Sequence, residues 1–286
     1  DTCLIYLTDY IKLEMGKGNY TGMVMLDLQK AFDTVDHKIL LSKLEAIGAS
    51  GSNISWFDSY LSNRTQKIDI DGTLSGACNI TCGVPQGSIL GPLLFLLYVN
   101  DMSSAVTCKL LLYADDSALI VSHKDVNFIQ QELERELSLV SDWLVDNKLS
   151  LHLGKTESIL FGTKKRLRKT KLLKIVCKGV NIEPKTSVKY LGIDLDQNLS
   201  GEISGAKTIQ KSNAKLKFLY RNTKKLNIKT KRLLSSALIQ NNFDYACSVW
   251  YSNLSKNTKS KLQVVQNKMI RHHMNGNFTK ESYWSR

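Results

Sequence analysis

Apolar positions along the chain change their spacing in a regular way, and each change marks an element. Residues 4–15 read as a helix that Gly16, Gly18 and Asn19 break. A compact apolar run over 23–26 predicts a strand ending on Asp27. Asp36 is placed to cap a helix running through Ile39, Leu40, Leu44 and Ile47 to Gly48, and a short helix fits 54–61. Residues 66–71 alternate apolar and polar, and Asp71-Gly72 is a turn pair, so a hairpin is expected with a partner strand near Ile80. Residues 88–102 suit a buried helix, with Pro92 tolerated in its first turn. Two apolar strands over 109–121 meet at Ala114, Asp115 and Asp116. Beyond them Ile129, Leu133, Leu137, Val140 and Leu144 recur at helical spacing. Strands are expected over 149–153, 158–161 and 188–195, with a hairpin around Lys178-Gly179. From about Ile203 the pattern is helical to the end. An α+β body followed by a basic helical subdomain is the result.

Composition bounds this picture. The chain has 286 residues, 43% of them hydrophobic, enough for a sizeable core and one subdomain. Its most apolar stretch, 89–99, contains Gly91 and Pro92 and is short of the roughly 20 residues a membrane span needs, so no membrane partner is expected. The start at Asp1 lacks the zones of a signal peptide, and the chain is expected to be a piece of a longer protein. Six cysteines show no CxxC spacing. Cys78 and Cys82 are the closest pair and have no histidine pair nearby, so reduced thiols in an intracellular protein are expected rather than zinc ligands.

Charge adds more. The net charge is +13, yet residues 164–232 alone carry 20 Lys and Arg against Glu183, Asp194, Asp196 and Glu202. The rest of the chain is slightly acidic. Such a localised excess predicts a polyanion held by the back half, nucleic acid above all, whereas a lysine-rich solvated face would not need so large an excess.

The candidate chemistry lies in the front half. Asp115 and Asp116 are adjacent carboxylates between two strongly apolar strands, and Asp27 ends another apolar strand. Acids held close together repel each other unless exposed or neutralised by a cation. Few hard oxygen ligands with room for water and phosphate suit Mg²⁺, and two such ions can bridge a phosphate undergoing transfer. Asp-Asp in a hairpin is also ordinary turn chemistry. The apolar flanks and Asp27 favour a site, but spacing alone leaves both readings open.

Three segments occur in a fixed order: Asp27-Leu-Gln-Lys-Ala-Phe-Asp-Thr-Val-Asp-His37, Gly83-Val-Pro-Gln-Gly-Ser-Ile-Leu-Gly-Pro92 and Tyr113-Ala-Asp-Asp116. The set resembles motifs A, B and C of reverse transcriptases, specifically those of non-LTR (LINE-like) retrotransposons. Leu149-Ser-Leu-His-Leu-Gly-Lys-Thr156 resembles motif D, with His152 where that family more often has Asn. Val188-Lys-Tyr-Leu-Gly-Ile-Asp194 resembles motif E. Phe243-Asp-Tyr, Trp250 and the segment from Leu262 fit the region after the polymerase core, so the resemblance extends to about residue 275.

The resemblance implies a right-hand polymerase palm, an antiparallel sheet packed on helices, followed by a basic helical thumb. Its expected divisions are a fingers remnant over 1–22, palm over 23–196 and thumb with post-thumb region over 197–286. It implies RNA-directed DNA polymerase activity, with two Mg²⁺ ions (Mn²⁺ able to substitute), dNTPs, an RNA template and a DNA primer. Asp27, Asp115 and Asp116 match the metal-binding acids, helped by the backbone carbonyl of Leu28. Asp33 is read as local hydrogen bonding and Asp36 as a helix cap. Phe32 matches the aromatic that leaves no room for a 2′-hydroxyl, with Gln86, Gly87 and Tyr113 beside the nucleotide. Lys155 matches a lysine that neutralises or protonates departing pyrophosphate. Tyr190, Leu191 and Gly192 match the primer grip, and Lys207, Lys211, Lys215 and Arg221 would contact backbone phosphates.

Only the last helix of a fingers region fits before Tyr20, and no endonuclease portion is present, so the isolated chain is expected to be poorly active. An intracellular ribonucleoprotein, nuclear or cytoplasmic, is the expected location, and the run at 164–169 fits a nuclear address. The rivals are a catalytically inactive nucleic-acid-binding module, a nucleotide cyclase and a group II intron maturase. The retained acids argue against the first, and Val84-Pro-Gln-Gly87 with the basic tail argues against the second. A splicing domain after the thumb would mark the third.

Overall fold

The computed structural model describes residues 2–171 and 173–273. Helix α1 (Thr2–Gly16) buries Leu4, Leu7 and Ile11 along one stripe. Strand β1 (Tyr20–Asp27) follows, then α2 (His37–Ala46) and α3 (Ser52–Leu61). Asp36 caps α2 as expected, its Oδ1 accepting the Ile39 N–H at 3.0 Å.

Short exposed strands come next: β2 (Arg64–Gln66), β3 (Asp69–Ile70), β4 (Thr73–Leu74) and β5 (Cys78–Ile80). The expected hairpin forms in two pieces. Around Asp71-Gly72, where both residues have positive φ, β3 pairs with β4; Ile80 instead pairs with Arg64 of β2. The single strand expected over 66–71 is therefore interrupted at Lys67 and Ile68.

Helix α4 (Leu90–Val99) continues into a 3₁₀ turn, Asn100–Ser104. It buries Leu94, Phe95 and Tyr98, but Ile89 is 96% exposed and Leu93 and Leu96 face outward. The helix expected there forms, but it is not buried on all sides. An apolar composition identifies the element and cannot assign each of its faces a partner.

Strands β6 (Lys109–Tyr113) and β7 (Asp116–His123) form the expected hairpin, and α5 (Val126–Asp146) buries each predicted core position. Then come β8 (Glu157–Phe161), a short α6 (Lys164–Leu167), β9 (Ile175–Cys177) and β10 (Val180–Lys185). The strand expected over 149–153 is reduced to one bridge, Leu28 to Leu151, because the chain turns at Leu153. The segment expected as a strand over 188–195 is a hairpin, β11 (Ser187–Tyr190) with β12 (Ile193–Asp196), turning at Leu191-Gly192. Helical structure follows through α7 (Glu202–Asn222), α8 (Ile228–Ser235), a π turn at Ser236–Gln240, α9 (Asn241–Asp244), α10 (Cys247–Trp250) and α11 (Lys256–His273). The helical expectation for 274–286 lies outside the described residues.

One six-stranded sheet runs β6-β7-β1-β8-β10-β9. It belongs to a compact unit of Gly18–Leu160 with Thr170–Lys185; the remaining described residues form a second, largely helical unit. In the sheet unit α5 packs on β1, β7 and β9. Gly22 of β1 lets it come close: a Cβ there would stand 2.3 Å from Ile129 Cγ2 and 2.8 Å from Leu133 Cδ1. In the helical unit α7 packs on α11 and α9, and α11 on α8. All six cysteines are free thiols. Among the described residues no helix is long and apolar enough to cross a membrane.

Candidate active site

Strand β1 delivers Asp27, and antiparallel pairing sets Asp27 directly opposite Asp116 at the start of β7. On its other side Asp116 faces Tyr113, the last residue of β6. Directly opposed residues of an antiparallel pair share a face, with Cβ atoms roughly 5 Å apart, and like charges there repel. The loop between β6 and β7 is only Ala114 and Asp115, and Ala114 is held at φ 52. A non-glycine residue in that region carries strain, which persists only where its surroundings impose it. The tight turn places Asp115 one step from Asp116.

Asp27 is half-buried, while Asp115, Asp116 and Tyr113 are exposed. Although the residue is exposed as a whole, loss of water around the Asp116 carboxyl pushes it above its ordinary pKa, and the charges of Asp115 and Asp27 push it further. Among the described residues no group of three or more His, Cys, Asp or Glu forms a ready-made metal cage. The opposed pair with Asp115 at its edge is a partial set of hard donors. That fits an ion which completes its shell with water and phosphate oxygens.

The chain after Asp27 is pinned by the segment 149–156. His152 N–H donates to the Asp27 carbonyl at 2.7 Å, and Gln29 N–H donates to Ser150 O at 2.8 Å. These two bonds close the Leu28–Leu151 bridge and take up neither the Leu28 carbonyl nor a carboxylate. Lys155 is exposed on the turn that follows, its N–H donating to His152 O. His152 therefore works here through its backbone, so Asn and His serve equally well for this contact.

A second set of bonds joins the loop after Asp27 to the loop before α4. Val84 N–H donates to Phe32 O, Gly83 N–H to Val35 O, and Gln86 Nε2 to Asp33 Oδ1 at 2.7 Å. His37 Nε2 donates to the Gly83 carbonyl at 2.8 Å. Gly83, at φ 89, lies so near Asp33 that a Cβ would stand 2.8 Å from its carbonyl oxygen. Phe32 is half-buried, with its ring 4.4 Å from that of Phe95. Gln86 and Gly87 are exposed, Gly87 at φ 80. Lys30, Asp33, Arg64, Gln66, Cys82 and Gln86 line an open cleft of about 620 Å³ beside these loops. Gly83, His37 and Ser150 carry the scaffold; Gly83 and Ser150 act through their backbones, which leave no chemical signature in the sequence, and the His37 ring contact depends on the approach of Gly83, 46 residues away.

In the helical unit Tyr190 is buried, and Leu191 (φ 45) and Gly192 (φ 83) form a two-residue turn. Both central residues at positive φ is the requirement of a type I′ hairpin. On α7, Lys207 Nζ pairs with Asp194 Oδ1 at 2.6 Å and Lys215 Nζ donates to Asn242 Oδ1 at 3.0 Å. Lys211 and Arg221 are exposed on the same helix.

The family model described as reverse transcriptase (RNA-dependent DNA polymerase) matches residues 7–195. An RNA-directed DNA polymerase from the mobile element jockey of Drosophila funebris is 28% identical over 271 residues, covering 89% of this chain and 28% of the relative. A probable RNA-directed DNA polymerase from transposon BS of Drosophila melanogaster is 28% identical over 276 residues, covering 93% of this chain and 30% of that protein. The chain thus spans less than a third of the length of these curated relatives. A Candida tropicalis telomerase structure aligns over 98% of this chain and 47% of its own at 15% identity, with a TM-score of 0.49. The opposed acids, the laced loops and the two hairpin turns all lie within the matched residues, and the chain belongs to the reverse transcriptase (RNA-dependent DNA polymerase) family, in its non-LTR retrotransposon branch.

Proposed function

We propose that the chain is the catalytic core of an RNA-directed DNA polymerase that extends a primer 3′-hydroxyl with deoxynucleotides during retrotransposition. The observation that carries this reading is Asp27 opposed to Asp116 across β1 and β7, with Asp115 on the adjoining turn. Asp27 and Asp115, with Asp116 and the Leu28 carbonyl, would hold two Mg²⁺ ions, for which Mn²⁺ can substitute. Bound there, such ions supply charge neutralisation at the triphosphate and acidify the attacking hydroxyl. The raised pKa of Asp116 supports this role, because a cation relieves the crowding.

The chain's own groups do the rest. Phe32, braced by Phe95, bars a 2′-hydroxyl from the sugar position; Gln86, Gly87 and Tyr113 bound the nucleotide. Lys155 neutralises or protonates the leaving pyrophosphate. The Tyr190–Gly192 turn aims the primer, and Lys207, Lys211, Lys215 and Arg221 meet backbone phosphates of the RNA template and DNA primer. We place the remnant of fingers at 1–22, palm at 23–196 and thumb at 197–286. The working location is an intracellular ribonucleoprotein, nuclear or cytoplasmic, supported by the basic run at 164–169.

Primer extension on an RNA template with Mg²⁺ and dNTPs tests the reading, using the chain alone and joined to the fingers segment of a jockey-type relative. Extension is expected from the joined protein, with little or none from the chain alone, and Asp115→Ala should lower it by at least about a hundredfold. Salt-sensitive binding of primer–template without extension in either protein would leave a nucleic-acid-binding module instead.

A further inference from the structure

The helical unit holds a contact that the roles above do not use. Tyr245, just after α9, donates its hydroxyl to the carbonyl of Leu191 at 2.6 Å. The Tyr245 ring also lies against Gly192, whose missing Cβ would stand 3.4 Å from Cε1. Leu191 and Gly192 are the two central residues of the β11–β12 turn, and Leu191 is not a residue that favours φ 45. Asparagine, aspartate or glycine would hold such a turn unaided; leucine needs an external restraint.

Tyr245 is itself fixed. Its N–H donates to Asn241 O at 3.2 Å, and Trp250 Nε1 donates to the Tyr245 carbonyl at 3.1 Å. The backbone at Trp250 presses on Gly201, where a Cβ would come within 2.2 Å of the Trp250 carbonyl oxygen. Gly201 N–H is in turn held by the buried carboxylate of Asp196, at the end of β12. The path leaves the hairpin at Asp196 and returns to its turn through Tyr245. Beside it, Gly192, Asp194, Lys207, Lys211 and Asn242 line a cleft of about 220 Å³.

We propose that Tyr245 is a positioning residue that clamps the Leu191–Gly192 turn in the conformation that aims the primer 3′-hydroxyl. This rests on the polymerase reading above and adds to it a residue from the segment beyond the motifs. The phenol contributes one hydrogen bond and one ring face; it touches neither substrate nor reacting atoms. Loss of the bond loosens the turn, so bound primer spends less time in line for attack while its phosphate contacts persist.

Tyr245→Phe removes the bond and keeps the ring. In the primer-extending protein, the extension rate at saturating primer–template is expected to fall roughly two- to tenfold, the span of one net hydrogen bond. Primer–template affinity should stay within about twofold, since its backbone contacts are intact. Exchange of the Ile193 amide, which closes the turn, should quicken by a similar two- to tenfold factor in the chain alone. Adding Leu191→Asn, which suits the turn on its own, should restore amide protection in Tyr245→Phe. A wild-type rate in Tyr245→Phe overturns the proposal, as does a rate loss matched by an equal loss of affinity, or an amide that Leu191→Asn does not protect again. If the parent proteins extend no primer, the polymerase reading fails on its own control and takes the proposal with it.

Discussion

At Asp116 stability and activity pull against each other. Its carboxyl is raised by loss of surrounding water and by the neighbouring charges of Asp115 and Asp27, so the ionised form weakens the folded state. The penalty is present above the folded pKa and disappears as pH falls through it toward the ordinary carboxylate value. Asp116→Asn, nearly the same shape without the charge, is therefore expected to melt higher than the parent at pH 7 without divalent metal, with the gain shrinking in acid. The same variant should lose primer extension. Adding Mg²⁺ should raise the melting temperature of the parent and not that of the variant. Thermal melts across pH, with and without Mg²⁺, check all three; a variant that melts lower at pH 7 would show that the acids do not repel. Little of this was open to sequence reasoning. The three acids were legible as apolar-flanked carboxylates, but that Asp27 stands opposite Asp116 is a matter of register, which a one-residue slip would undo.

Elements are held by buried polar pins as much as by apolar faces. Glu136 lies on α5 with no exposed side-chain surface, and accepts from the Thr107 N–H at 2.8 Å, from the Thr107 hydroxyl and from Arg135. Burial pushes this carboxyl up, yet the Thr107 bonds and Arg135 outweigh burial and hold it below the ordinary glutamate range. It ties α5 to the chain entering β6, the strand that leads to the Asp115 turn. Glu136→Ala strands those donors in a buried place and is expected to cost about 2–4 kcal/mol. Because the folded pKa is depressed, the parent keeps this contribution above the unfolded glutamate pKa and loses it as pH falls through the folded value. Denaturant titrations at pH 7 and in acid should find the difference between parent and variant narrowing at the lower pH. A constant difference would sink this account. The helix itself was legible from Ile129, Leu133, Leu137, Val140 and Leu144, whereas nothing in the sequence singles out Glu136. Only the approach of Thr107, 29 residues away, makes it a pin. The 149–153 segment shows the converse. Its apolar alternation suggested a strand, but the backbone is spent anchoring Asp27 and Gln29 and then turns.

Across the whole molecule, charge is divided more sharply than apolar content. Of the 20 basic residues between 164 and 232, all but Lys171, Lys174, Lys178 and Lys185 belong to the helical unit. The acids of the candidate active site belong to the sheet unit. Affinity for primer–template should therefore fall steeply with salt. Lys211→Ala, an exposed position on α7, is expected to weaken binding evenly across sequences and lower the salt slope by about 1. Lys207 should respond less cleanly, because Asp194 already holds it. Fluorescence anisotropy over a salt series decides this, and an unchanged slope for Lys211→Ala would remove that residue from the contact set.

By itself the sequence determined which segments are helices, where apolar strands end in carboxylates and which half of the chain is basic. These follow from local spacing and composition, which act between near neighbours. Tertiary structure alone decided the Asp27–Asp116 opposition, the lacing of Gly83 to the loop after Asp27, the burial of Glu136 and the reach of Tyr245 to Leu191. Each of these joins residues far apart in the chain through register, backbone bonds or close approach. A single sequence carries no periodicity for such contacts.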